Sequence, residues 1–308
     1  MYQQRAARTA AGLMIVFLSV LSGASAQEYD LSPEQQQRVH TTPGKIAEAI
    51  PEDVHFVQEG RFTMAMSPYV PPTSFYASDS QTVIGANADI ASLIAEKLGL
   101  ELDIRVVAWP DWPLGMSSGK YDGFISDVTI TEERKAKFDF SSYALGASAF
   151  YVPSESSITE MSRPEDVAGK RIIVGSGTLD EKILLSWDEQ NVAAGLAPID
   201  FQYYDDYAAG QLSMLAGRAD AMLVVYSEGS YNSVASGKTR LVGMVLGLDD
   251  VPAFFGVVSK KDSGMAAVIS AAIDELIAEG SYAATLRRWK LDHSAVSSSE
   301  VNPQGLDL

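Results

Sequence analysis

Residues 87–100 read NADIASLIAEKLGL, and the seven that follow, 101–107, read ELDIRVV. In the first stretch Ile90, Leu93, Ile94 and Leu98 recur at the spacing of one helix face, and Gly99 supplies the stop. The second stretch alternates as a strand does. A helix that ends in glycine and feeds a strand is the repeating unit of an α/β protein, and the pattern continues on both sides. RFTMAMS (61–67) reads as a strand before it. After it come a helix around Pro113 to Ser118 and a strand, DGFISDV (122–128). A second series opens with strand and turn in GKRIIVGSGT (169–178). It continues as helix (179–190), strand (199–204), helix (205–217), strand (219–225) and helix (228–237). Two such series predict two α/β lobes. ASAFYVPSES (147–156) runs between them, and AFFGVVSKK (253–261) with a long helix (264–280) follows the second. If that last portion belongs with the first lobe, the chain crosses between lobes twice.

The flanks are less patterned. Arg5 and Arg8, the apolar run AAGLMIVFLSVLSG and Ala24-Ser25-Ala26 read as a cleavable secretory leader over 1–26. Residues 27–60 read as an N-terminal extension in which LSPEQQQRV (31–39) is a short capped helix. HSAVSSSEVNPQGLDL (293–308) reads as a polar tail that leaves the last helix and carries no chemistry. The 308 residues hold no cysteine, which excludes disulfides, thiolate metal sites, cysteine nucleophiles and a lipid-bearing N-terminal cysteine. The expected place is therefore the periplasm, without a lipid anchor. Removing the leader takes away two arginines and no acid, so the formal charge of −17 becomes −19. That disfavours nucleic acid and anionic membrane surfaces as partners.

Enzyme signatures fail on context. Gly115-Met116-Ser117-Ser118-Gly119 fits G-x-S-x-G, but a nucleophile elbow needs a strand before it and a helix after it, and here the order is reversed. His40, His55 and His293 have no metal-site spacing to another ligand. Gly175-Ser176-Gly177 lacks the third glycine of a dinucleotide loop. No catalytic residue, metal or cofactor is expected.

Two helix starts carry more. Thr178-Leu179-Asp180-Glu181 has capping-box spacing directly after Gly175-Ser176-Gly177, which is either plain capping or a set of amides that attracts an anion. Thr129-Ile130-Thr131-Glu132 has the same spacing, with Arg134 one turn further on. A guanidinium matches the two oxygens of a carboxylate, and a hydroxyl such as that of Thr129 completes such a cradle. The alternative is a solvated arginine paired with Glu132 or Glu133. Tyr69 before Pro71-Pro72, and Trp109 and Trp112 around Pro110, lie on proline-stiffened loops. They either wall a site or cap the core.

GANADIASLIAEKLGLEL (85–102), SSGKYDGFISDVTITEERKAKFDFSSY (117–143), EDVAGKRIIVGSGTLDE (165–181), LAGRADAML (215–223) and LIAEGSYAATLRRWKL (276–291) together resemble the polar amino-acid class of periplasmic solute-binding proteins, the receptors of ABC importers. The resemblance implies two α/β lobes joined by two crossover strands that close on a ligand, with lobe 1 over 61–148 and 254–292 and lobe 2 over 149–253. It implies a monomer that binds a small polar carboxylate and delivers it to a membrane permease. Arg134 matches the arginine that grips the ligand carboxylate. Thr129 matches a hydroxyl before it, Thr178 and Leu179 the second lobe's helix start, Trp112 an apolar wall and Tyr69 another. The ligand's ammonium usually meets an aspartate where this chain has Val225; Asp127, or Glu228 three residues past Val225, stands in as the acid. Thr73 replaces an aromatic after Pro-Pro, and Ser142 a proline before Tyr143. These departures point away from a standard α-amino acid and toward a modified amino acid, an amino-acid derivative or another small carboxylate. A competing reading on the same fold resembles cyclohexadienyl dehydratases, with Asp127 or Glu228 as the site acid.

Overall fold

The computed structural model describes residues 29–204, 206–248 and 251–307. The leader expected over 1–26 lies outside them. Leu31–Leu308 form one compact unit, to which everything below refers.

Two five-stranded mixed sheets organise that unit. The first draws on β1 (Arg61–Met66), β2 (Glu101–Val106), β3 (Gly123–Phe124) and β4 (Phe138–Leu145). The second holds β5 (Ser148–Pro153), β6 (Arg171–Val174), β7 (Asp200–Tyr203), β8 (Ala221–Val225) and β9 (Thr239–Val245). β10 (Phe254–Lys260) returns to the first. The strand orders are β2-β1-β3-β10-β4 and β9-β5-β8-β6-β7. β1 is parallel to β2 and β3, while β10 is antiparallel to β3 and β4. In the second sheet β6 is parallel to β7 and β8, and β5 is antiparallel to β8 and β9. Helices α1 (Ala86–Leu98), α2 (Glu132–Lys135), α3 (Leu179–Ala193), α4 (Tyr207–Leu215), α5 (Tyr226–Ser236), α6 (Met265–Glu279) and α7 (Ser281–Arg288) cover the sheets. This is the two-lobed mixed α/β fold.

The two chain crossings lie side by side. The first runs through Gly146 and Ala147, the second through Ala253, and Gly146 N donates to Ala253 O at 2.8 Å. A Cβ on Gly146 would meet the Phe255 ring at 2.7 Å, so only glycine allows the strands this close. Each lobe has its own core. In the second, Phe150 stacks on Trp187 at 5.7 Å among Val174, Ile183 and Leu223.

The helix over 87–98 forms as its spacing predicts, and Gly99 caps it at φ 70°. It is buried on nearly all sides, beyond one amphipathic face, because the N-terminal segment straps across it. The segment 31–39 is not the helix expected of it: residues 32–37 form turns, with Gln35 at φ 45°. The run has no apolar stripe to bury, and its polar groups bind the lobe instead. Arg38 Nε donates to Asp89 at 2.8 Å, Thr41 N to Glu96 at 2.7 Å, and Lys45 N and Ile46 N to Glu275 of α6. Asp89, 0% exposed, also accepts from Trp289 Nε1 at 2.8 Å and from Arg288.

Residues 299–306 leave the last helix, which ends at Arg288, and fold back onto the first lobe. Glu300 and Ser142 exchange backbone bonds with each other's backbone and hydroxyl, Asn302 N donates to Phe140 O at 2.9 Å, and Leu306 N donates to Ile130 O at 3.1 Å. The tail thus covers the open edge of β4.

Removing one partner of a buried charge cluster leaves the other uncompensated. Asp89→Ala is therefore expected to lower unfolding stability by about 3 kcal/mol or more, read as the urea midpoint at unchanged m-value.

Candidate functional site

Arg134 is positioned by a short helix with two supports. Thr131, not Thr129, is the N-cap of α2, and its hydroxyl accepts from Arg134 N at 3.2 Å. The C-terminal tail is the second support. Glu132 N donates to Leu306 O at 3.1 Å, the Glu132 carboxylate accepts from Gly305 N at 2.8 Å, and Lys135 Nζ donates to Pro303 O at 2.8 Å. A four-residue helix has little stability of its own, so these contacts hold its geometry.

The guanidinium sits where the lobes meet. Nη1 donates to Thr129 O at 2.8 Å in the first lobe, and Nη2 donates to Gly177 O at 3.2 Å in the second. No carboxylate among the described residues lies within salt-bridge distance of it. Glu133 turns instead to Lys182 of α3, at 2.6 Å across the lobes, and Glu132 to Lys135. Burial pushes the Arg134 guanidinium down to about 10, which still leaves it charged at neutral pH. Two of its five N–H groups are taken by carbonyls, one from each lobe.

Opposite it, Thr178 caps α3. Its hydroxyl donates to Gly175 O at 2.8 Å and accepts from Glu181 N at 3.2 Å, while the Glu181 carboxylate accepts from Gly177 N at 2.6 Å. The plain-capping reading of this spacing therefore describes the hydroxyl and the Gly177 amide. Leu179 packs half-buried on the second lobe's core.

Asp127 lies just before Thr129, buried, at φ 52°, a left-handed conformation that aspartate tolerates better than most residues. Oδ2 accepts from Thr73 Oγ1 at 2.6 Å, Oδ1 from Asn87 Nδ2 at 3.0 Å, and Tyr143 OH lies 3.0 Å from Oδ1. Burial raises its carboxyl, and these donors offset only part of that rise. Thr73, standing in the aromatic's place, is thus the donor that the acid at 127 needs. Ser142 has a similar reason. Its N–H donates to Glu300 O at 3.0 Å and its hydroxyl accepts from Glu300 N at 2.8 Å, a pairing that proline cannot make.

The two expected wall residues have opposite surroundings. Trp112 is 4% exposed and stacked 5.3 Å on Phe124 within the first lobe's core, because its helix turns the ring inward. Tyr69 is 56% exposed. Val225 ends β8, pairs with Ser148 and precedes α5. Glu228, in the first turn of α5, is buried. Its carboxyl is pushed well up by burial and by the nearby acids Asp180, Asp127 and Asp206.

Spacing marks Asp180 only as part of the Thr178–Glu181 helix start. It is 6% exposed, accepts from the Ser148 hydroxyl across from α3, and burial raises it to about 6. Burial of this acid and the approach of Ser148 are tertiary events that no spacing signals.

Residues 62–292 match the model of the bacterial extracellular solute-binding proteins, family 3, and the chain belongs to that family. It is 24% identical over 306 residues to the arginine-binding protein ArgT of Corynebacterium glutamicum, across 99% of this chain and 98% of ArgT. It is 30% identical over 168 residues to the L-cystine-binding protein TcyJ of Escherichia coli (strain K12), covering 54% of this chain and only 59% of TcyJ. A mutant of ArgBP from T. maritima superposes with a TM-score of 0.66 at 25% identity, over 75% of this chain and 95% of that one. An ancestral arginine-binding protein bound to arginine gives 0.65 at 23%, over 75% and 98%, a likeness of fold.

Ser142→Pro removes both the donor and the acceptor that pair with Glu300. It is expected to cost about 2 kcal/mol for the two lost bonds. Amides 130–137 are expected to exchange with deuterium at least tenfold faster, while those of the second lobe are unchanged.

Asp180 binds its proton more tightly folded, near 6, than unfolded, near 3.8. The stability that its protonated form contributes is full below about pH 4 and is lost as pH rises through 6, up to about 3 kcal/mol. Glu228 and Asp127 shift in the same direction. Carboxylates held low by partners, such as Asp220 beside Arg171, lose their contribution only below about pH 4. The melting temperature is therefore expected to fall from pH 5 to pH 7, and Asp180→Asn to flatten that slope.

Proposed function

We propose that this protein is the substrate-binding component of an ABC importer and captures an amino acid, or a related small polar carboxylate, between its lobes. The observation that carries this reading is Arg134, a guanidinium bound to main-chain carbonyls of both lobes with no carboxylate among the described residues to neutralise it. A ligand carboxylate meets its remaining N–H groups and the free hydroxyl of Thr129, with the start of α3 at Thr178 on the other side. A ligand touching both lobes shifts the open–closed equilibrium by its differential affinity for the closed form.

The family and its named relatives support the amino-acid class, since those relatives are called cystine- and arginine-binding proteins. Nothing in them supports the dehydratase-like alternative. The accompanying proposals are a periplasmic location reached through a cleavable leader, a monomer, and a membrane permease as partner.

Once a thermal-shift panel of amino acids and small organic acids has found a ligand, Arg134→Ala is expected to weaken its binding by about 2 to 5 kcal/mol in calorimetry. Unchanged affinity at an intact fold would remove the basis of the reading.

A further inference from the structure

Arg134 follows closely on residues 128–131, which form the middle of a three-stranded ladder drawn from distant parts of the chain. On one side they meet the start of β10, just past the second crossing. Gly256 N donates to Val128 O and Ile130 N to Phe254 O, both at 2.9 Å, with Thr129 bridged to Phe255. On the other side they meet the tail. Leu306 N donates to Ile130 O and Glu132 N to Leu306 O, both at 3.1 Å, with Thr131 bridged to Leu306. Ile130 thus spends its N–H on the crossing strand and its carbonyl on the tail. That tail lies beyond 62–292, the residues that match the family model.

The approach is too close for any side chain at position 305. A Cβ on Gly305 would meet Thr131 C at 2.8 Å and Thr131 Cα at 2.9 Å. Leu306 beside it is buried. The same contact fixes an acid. The Glu132 carboxylate, two residues before Arg134, accepts from Gly305 N at 2.8 Å and from Lys135 Nζ at 2.9 Å, and that ammonium also donates to Pro303 O at 2.8 Å. With the tail in place, Glu132 is engaged away from the guanidinium. With the tail displaced, a helix of one turn frays, and a carboxylate two residues away becomes an internal competitor for the cation.

We propose that residues 303–306 are the positioning element of the anion clamp: they set ligand affinity through Arg134, by fixing the helix that carries the guanidinium and by holding the Glu132 carboxylate away from it. This rests on the receptor reading above and deepens it, because it adds a determinant of affinity that acts through Arg134 and not on the solute.

The test uses the full chain with Gly305→Ala, which wedges the tail off Thr131, and with Leu306→Ala, which loosens the same contact without a clash and serves if the first variant does not fold. Calorimetry with L-arginine, L-cystine and the other standard amino acids selects the tightest-bound probe. Each variant is expected to weaken that probe by about tenfold or more when Arg134 is present. In an Arg134→Ala background, with weak binding read by NMR titration, the same change is expected to cost less than about twofold, the non-additivity of residues that act as one unit. Equal losses in both backgrounds, or no loss in either, overturn the proposal. Without ligand, rotation of the Arg134 guanidinium about its Nε–Cζ bond, read by 15N NMR, is expected to be about tenfold faster in the variants, and an unchanged rate overturns the positioning. Failure of every probe to bind the unsubstituted protein overturns the receptor reading instead, and the guanidinium rotation then still decides whether the tail positions Arg134.

Discussion

The two lobes meet at a positive charge that no carboxylate among the described residues neutralises. Arg134 spends two N–H groups on carbonyls, one from each lobe, and so serves as a strut between them while keeping its charge. Its acidic neighbours in sequence are engaged with lysines instead. A half-buried guanidinium in that state costs free energy, and under the function proposed above a ligand carboxylate supplies the missing partner.

Much of the first lobe serves to fix that group. The helix that bears it is a single turn, capped by Thr131 and tied at its solvent side to Gly305, Leu306 and Pro303. The C-terminal tail that supplies these contacts is anchored in turn by Ser142 and by the bracket of Asn302 on Phe140. At the other end of the chain, residues 38–46 strap α1 to α6 through Asp89, Glu96 and Glu275. The two polar, weakly patterned flanks thus act as braces of the lobe that holds the arginine.

The positions that depart from the resemblance prove to be linked. Thr73 supplies the hydroxyl that Asp127 requires, Tyr143 and Asn87 complete the set, and Ser142 supplies the N–H that the tail requires. With Val225 in place of an aspartate, the second lobe's acids stand at Asp180 and Glu228. Both are buried, and burial pushes both carboxyls up.

The alternation of strands and helices, Gly99 as a stop and the second lobe's helix start at Thr178 were all legible in the sequence. Each rests on local spacing or on one residue's chemistry, which neighbours in the chain suffice to express. Other features depended on residues far apart in the chain. Trp112 turned into the core, Tyr69 turned to solvent, Gln35 interrupted a helix, and Asp180 became a buried acid only when Ser148 and α5 closed around it. The physical reason is range: periodicity reports which face of an element is apolar, whereas burial of a given polar or aromatic group is set by whichever distant segment packs against it.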